Sequence, residues 1–240
     1  MASGYLSLIL AKLNTPHIAS LCFYGVLMNC KGCGKDTKLI KAHIIPEAFF
    51  TGLRDGEKAP RILSNISGVY PKKAPIGIYD PNILCRDCED KFQQLDDYGH
   101  QVLIKLEDKH EVLYHEDGEI KGYIFHGIDN NQLKLFFISI LWRASISTHN
   151  FYSKVHLGEI ESLAQQDIWN MNPLSKHDFS FVLGKFEGDA SGRTILDPHP
   201  EEWFGVKYIR FIYMGISFTS KLNRLKLQKS GLISSQMVTP

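Results

Sequence analysis

The sequence is short of charge imbalance, of uninterrupted apolar runs and of cysteine, and each shortage excludes something. Its 27 basic and 26 acidic side chains leave a formal charge of +1, which rules out the overall basic field of a nucleic-acid coat. Any contact with phosphate must then come from local patches. Lys12, Asn14, Pro16 and His17 break the apolar opening stretch before it reaches the roughly 20 residues a membrane span needs, so no membrane partner is expected. Nor does that stretch show a basic leader, an apolar segment and a small-residue cleavage site in that order, and a cytoplasmic location follows. No internal repeat and no low-complexity tract is present. Five cysteines are too few and too patterned for a secreted disulfide framework.

Four of those cysteines form two C-x-x-C pairs, Cys30 with Cys33 and Cys85 with Cys88, leaving Cys22 apart. A C-x-x-C turn points two thiolates at one tetrahedral ion, and two such turns complete its shell. Four sulfurs leave no position for water, so the expected ion is a structural zinc. The other use of C-x-x-C, a redox dithiol, sits at a helix start near a βαβ pattern, which this sequence lacks. The stretch from 30 to 79 is rich in turn formers, among them Gly32, Gly34, Gly52, Pro60, Pro71 and Gly77. Such a segment needs a staple, which bound metal supplies as folding energy.

Beyond the second pair, Phe92, Leu95, Val102, Leu103 and Leu106 recur at helical spacing, predicting an amphipathic helix to about residue 108. Asp117-Gly118 separates residues 111–115 from 120–126 and reads as a hairpin turn. Residues 132–146 are apolar on nearly every face and predict a buried helix. A surface helix is expected over 158–169. Residues 179–186 and 208–218 are β-branched and aromatic runs, expected as strands. The fold class is therefore α+β. It divides into an extension over residues 1–27, a zinc-stapled module over 28–110, and an α+β C-terminal region over 111–240 with a buried helix and antiparallel strands.

The order of short motifs in the first half carries a resemblance. Cys30-Lys-Gly-Cys33-Gly34 precedes Leu39-Ile-Lys-Ala-His43-Ile-Ile-Pro46, and Asn82-Ile-Leu-Cys85-Arg-Asp-Cys88-Glu-Asp-Lys91 follows. Together they resemble the zinc-stapled branch of the HNH endonuclease family, whose ββα-metal site is built into a treble-clef knuckle. The resemblance covers about 70 of the 240 residues. It implies a phosphodiester hydrolase with His43 as general base and Asn82 as the residue orienting it. A divalent cation, magnesium or manganese, would stabilise the leaving oxygen, with Glu89 at a cation-binding position. An imidazole suits the base because it titrates near neutrality and takes a proton without losing affinity for an anion. The chain departs from the family at two places: Ala42 stands where an acid or histidine usually ligates the cation, and Glu89 where asparagine or histidine is usual. The run Leu135-Phe-Phe-Ile-Ser-Ile-Leu-Trp-Arg-Ala-Ser-Ile-Ser147 is similar to a segment of uncharacterised bacterial proteins that join this module to an α+β region.

Each of these residues also has a plainer use. His43 could satisfy a backbone carbonyl beside the zinc, and Glu89 could be an acid in a first helical turn, favourable against the dipole. Arg143, in the apolar helix, is either a paired core charge or a phosphate contact. Lys221, Arg224, Lys226 and Lys229 form an acid-free run that is either a solvated face or a patch for nucleic acid. Two functions follow: a metal-dependent endonuclease acting on nucleic acid, DNA foremost, or a non-catalytic zinc module binding nucleic acid or a protein, the C-terminal region supplying recognition.

Overall fold

The computed structural model describes residues 27–51, 61–62, 68, 70–74, 76–105, 110–173, 178–185, 195–213 and 216–222. The expected extension therefore lies outside the described residues except for its last position, as do Cys22, Arg224, Lys226 and Lys229.

The first half is made of two-residue strands, as expected of a chain whose glycines and prolines leave no room for longer ones. β1 (Met28–Asn29) and β2 (Asp36–Thr37) pair antiparallel around the first cysteine turn. β3 (Ala42–His43) is followed by α1 (Glu47–Phe50), then by β4 (Arg61–Ile62) paired with β5 (Lys72–Lys73). β6 (Tyr79–Asp80) returns antiparallel to β3, setting Ala42 opposite Asp80 and His43 opposite Tyr79. α2 (Arg86–Glu89) starts at the second cysteine turn and continues through a 3-10 turn (Asp90–Phe92) into α3 (Gln93–His100) and a π turn (Gln101–Lys105). This helical run is the amphipathic helix predicted after Cys88. Phe92, Leu95 and Val102 are its buried face, and positions 106–109 lie outside the described residues.

The second half opens with the expected hairpin, β7 (His110–Tyr114) against β8 (Ile120–Phe125), turning at Gly118 with φ 87°. α4 (Asn130–Ile146) is capped by the Asp129 carboxylate, which accepts the Asn131 and Gln132 N–H groups at 2.9 and 3.1 Å. Every side chain from Leu133 to Ala144 is buried, as its all-round apolar pattern requires. α5 (Glu161–Trp169) follows a 3-10 turn (Gly158–Ile160). A four-stranded antiparallel sheet completes the fold, in the order β10 (Ile195–Trp203), β11 (Val206–Tyr213), β12 (Ile216–Lys221) and β9 (Phe181–Lys185).

Two of the strand expectations change. Residues 208–218 are not one strand but parts of β11 (Val206–Tyr213) and β12 (Ile216–Lys221), which pair with each other. Residues 179–186 contain β9 (Phe181–Lys185), at one edge. The other edge, β10 (Ile195–Trp203), was not expected, because Pro198 and Pro200 argue against a strand. An edge strand tolerates proline, and the register slips between Leu196 and His199, around the first of them.

The two halves share one hydrophobic core, running from Cys30 and Phe50 through α4 to Phe211 and Phe218. Phe49 stacks on Phe136 of α4 at 5.6 Å, and Phe92 on Trp142 at 6.0 Å. Asp80 is a polar joint in the same seam, only 1% exposed. Its Oδ2 accepts the Ser147 hydroxyl and both the N–H and hydroxyl of Thr148 just past α4, while Oδ1 accepts the Asn82 N–H. Burial by itself would raise this carboxyl, but those four donors outweigh it and hold its pKa below the ordinary value.

A lowered folded-state pKa means the stabilisation is complete above the unfolded value, about 4, and is lost as pH falls through the folded one. Asp80→Ala should therefore cost about 2–4 kcal/mol at neutral pH. In thermal melts the difference from wild type should narrow as the medium is acidified below pH of about 4. A pH-independent gap would show that packing, not the carboxylate, holds this joint.

Candidate functional site

The four cysteines converge as their spacing predicts. All four sulfur atoms lie within 4.8 Å of one another, and the Cys33 and Cys85 sulfurs are 3.9 Å apart. A tetrahedral zinc with bonds near 2.3 Å would set such edges at about 3.8 Å. Gly32 makes the first turn possible, because a Cβ there would meet the Cys88 sulfur at 2.7 Å. Gly34 turns the chain back at φ 71°, with its N–H on the Cys30 carbonyl at 2.8 Å. The first turn docks on the second through Lys31 N–H to the Ile83 carbonyl at 2.8 Å, and the Cys85 N–H reaches the Cys30 sulfur at 3.3 Å.

The thiols are unequal. Burial works against ionising Cys30, yet the N–H groups of Cys33, Cys85 and Gly32 bring it down to about 7. Burial, reinforced by the Cys85 and Cys30 sulfurs, pushes Cys88 up. Crowded sulfurs that cannot all ionise unaided are a donor set for a soft cation, which displaces their protons. Cys30, Cys85 and Cys88 are buried and Cys33 is exposed, so the cluster lies at the surface with its shell closed. Among the described residues it is the one group of three or more His, Cys, Asp or Glu side chains close enough to hold a metal ion. The C-terminal region reaches it too, since Gln165 of α5 donates to the Gly32 carbonyl at 2.8 Å.

His43 stands on β3, pinned through its backbone on both sides. Its N–H donates to Glu89 Oε1 at 3.1 Å and its carbonyl accepts from Arg143 Nη1 at 2.9 Å. The half-buried ring places Nε2 at 2.9 Å from the Ile76 carbonyl oxygen. A carbonyl only accepts, so in the neutral ring Nε2 carries the hydrogen and the lone pair sits on Nδ1. Nδ1 has no hydrogen-bond partner among the described residues. Gly77 at φ 86° orients the Ile76 peptide, and a Cβ there would strike the Phe50 ring at 2.5 Å. Tyr79 packs edge-on to His43 at 6.0 Å, and the Lys41 ammonium lies 4.9 Å from the Tyr79 ring centre.

Glu89 spends Oε1 on the His43 N–H, while Oε2 is buried without a hydrogen-bond partner. Burial raises its pKa, against the pull of the Arg143 guanidinium. Asn82 is exposed in the turn before α2; its N–H is held by Asp80, and no hydrogen bond joins its side chain to His43. Ala42 is wholly buried, so its place on β3 faces the core, and a ligand substituted there would point away from solvent.

Arg143 is the paired core charge, not an exposed phosphate contact. With 0% exposure it gives Nη1 and Nη2 to the Asp96 carboxylate at 3.0 and 2.6 Å, Nη1 also to His43, Nη2 to Ser139 Oγ at 3.1 Å, and Nε to the Ser139 carbonyl at 3.3 Å. Its guanidinium lies 4.5 Å from the centre of the Phe92 ring. The sequence marked Arg143 as needing a partner but did not identify Asp96, because nothing in local spacing links residues on two different helices. The Ile76 carbonyl was equally hidden, being a backbone atom.

Two measurements check this arrangement. Purified protein should contain about one zinc per chain by elemental analysis, and Cys85→Ser should lose both metal and cooperative melting; a well-folded zinc-free wild type would refute the assignment. Arg143→Met should destabilise by about 3–5 kcal/mol by stranding the part-buried Asp96 carboxylate and the acceptors around it, and adding Asp96→Leu should recover part of that loss. Equal loss in the single and double variants would show that the pair is not the cause. No family model, curated protein or solved structure matches this chain, so a functional reading has to come from the site itself.

Proposed function

We propose that the chain is a zinc-stapled, HNH-like protein of treble-clef design that acts on nucleic acid as an endonuclease, with His43 as the general base. The observation that carries this reading is the state of the His43 ring. It stands on β3, paired antiparallel with β6, which leads into the helix that starts at the second cysteine pair, with Nε2 on the Ile76 carbonyl and Nδ1 left to accept a proton. A base held in one tautomer by a backbone carbonyl is ready to take a proton from water attacking phosphorus. In this reading the carbonyl, not the Asn82 side chain, orients the ring. Lys41, close by on the same segment, supplies positive charge for a phosphate.

A divalent cation is the part least provided for. Ala42 offers no donor, and the free oxygen of Glu89 is buried near a guanidinium. Magnesium or manganese would then draw most of its oxygens from water and substrate phosphate, a habit of magnesium in particular, and bind weakly. The same facts favour a second reading, a zinc module that binds nucleic acid without cutting it.

Wild-type protein should nick or cut DNA with added magnesium, manganese or nickel. His43→Ala should lower the rate by about 10²–10⁴-fold while zinc content and melting temperature stay near wild type. A wild type inert on single- and double-stranded DNA and RNA with every cation removes the enzyme. Salt-dependent binding without cleavage would then leave the binding module standing.

A further inference from the structure

The β7–β8 hairpin and the β9 edge of the sheet stand apart, with a hollow of about 510 Å³ between them. Strand alternation turns Lys121, Tyr123 and Phe125 of β8 to one face together with His110, which sits directly across from Phe125. The rings on this face pack on one another: His110 lies edge-on to Tyr123 at 4.5 Å and 5.6 Å from Phe125. From the sheet side come Leu183 of β9 and Ile216 of β12, and Leu103 of the π turn lines the hollow as well. One wall is thus aromatic and the other aliphatic.

Two features set this hollow apart from a shallow dent in the surface. Leu103 and Ile216 also line a smaller cavity of about 30 Å³ beside Phe49, Phe136 and Tyr213, so the hollow leads inward to the core. Phe125 and Leu183 are 39% and 38% exposed at its rim, apolar surface that the fold leaves uncovered. Its polar groups are few. His110 Nδ1 and, further in, the Tyr213 hydroxyl are buried with no hydrogen-bond partner, exceptions to the rule that buried polar atoms are paired. Lys121 is exposed, and no acidic side chain is among the described residues that line the hollow.

We propose that the hollow is a binding site for a small aromatic carboxylic acid. Small-molecule sites are typically clefts of about 300–1,000 Å³, mostly apolar with a few placed polar groups, and this one matches in size and lining. A planar ring fits between the rings of the hairpin and the aliphatic side chains of the sheet, offset or edge-on as aromatic pairs prefer. The carboxylate then meets the Lys121 ammonium and the His110 imidazole, and the unpaired nitrogen gains an acceptor. One ammonium and one imidazole match a single carboxylate; a phosphate group, with three strong acceptor oxygens and close to two charges, would be left short of donors. Neither Lys121 nor His110 belongs to the cysteine cluster or to the surroundings of His43, so the inference stands apart from nucleic acid and from cleavage.

The test is isothermal titration calorimetry of the full-length protein with 2-naphthoate and with its uncharged counterpart, 2-naphthalenemethanol. Wild type should bind naphthoate saturably, one per chain, and the alcohol more weakly. Lys121→Met should weaken naphthoate about 2- to 5-fold and leave the alcohol unchanged. Leu183→Trp, which places a larger side chain at the part-exposed rim, should abolish binding of both compounds while the melting temperature stays near wild type. Should that variant unfold, His110→Phe decides: it keeps a ring against Tyr123 and Phe125, and should weaken naphthoate about 2- to 12-fold. If wild type binds neither compound, or binds both equally, the proposal is overturned. Naphthoate binding that is the same in wild type, Lys121→Met and His110→Phe would put the compound elsewhere on the protein and overturn it too. Either failure leaves the nucleic-acid reading as it stood.

Discussion

The Arg143 guanidinium is the constraint on which the candidate site depends. Taking an arginine out of water costs several kcal/mol even after relaxation, so its burial at 0% exposure needs full compensation. It has five N–H groups, and five acceptor contacts come from Asp96, His43 and Ser139. Those acceptors belong to three separate elements, α3, β3 and α4. A helix presenting this side chain cannot slide or rotate against the cysteine-rich half without stranding a charge. The apolar surface of α4, nearly uniform around its circumference, would not by itself choose one rotation; the guanidinium does.

From this follows the way the cysteine-rich half is held. At one end two cysteine turns meet; at the other, Phe49 and Phe50 sit against Tyr213, with centres 5.6 and 5.9 Å apart. Between these ends the chain has two-residue strands that could not persist alone. Gln165 reaching the Gly32 carbonyl and Asp80 receiving Ser147 and Thr148 tie the same segment sideways. The cysteine cluster and the core of α4 thus hold one structure. A boundary drawn near residue 110 marks a change in sequence texture, while the hydrophobic core runs across it.

What the sequence made legible was what spacing encodes. Two C-x-x-C pairs foretold the sulfur cluster, heptad-like recurrences the helix after Cys88, Asp117-Gly118 the hairpin, and unbroken apolarity the burial of α4. What stayed hidden was set by partners distant in sequence or by backbone atoms. β10 was obscured by two prolines that only its edge position permits. The division of 208–218 into two strands falls at Met214-Gly215, where a single glycine among β-branched and aromatic residues is too slight a signal to divide the run. Asp96 reads as a solvent-facing acid in a polar helix turn until Arg143 is laid over it. Ile76 gives no sign of its role because only its carbonyl is used, aimed by the left-handed Gly77 that follows.

Glu89 is committed to architecture in a way that opposes the cation-binding role proposed for it. A carboxylate at the end of α2 could serve a cation only by turning an oxygen outward, and Oε1 is already committed to the β3 backbone. Its second oxygen is shut in near a guanidinium that repels cations. Releasing it would free the His43 N–H and remove negative charge from beside Arg143. Each of those changes leaves a polar group buried without its partner, at a cost of about 1–3 kcal/mol apiece. A cation bound there would have to repay that before doing any chemistry. The hydrogen bond from Nε2 to Ile76 carries no such conflict, because it leaves Nδ1 and its lone pair uncommitted. On the proposed reading, His43 would thus be better prepared as a base than Glu89 as a cation ligand.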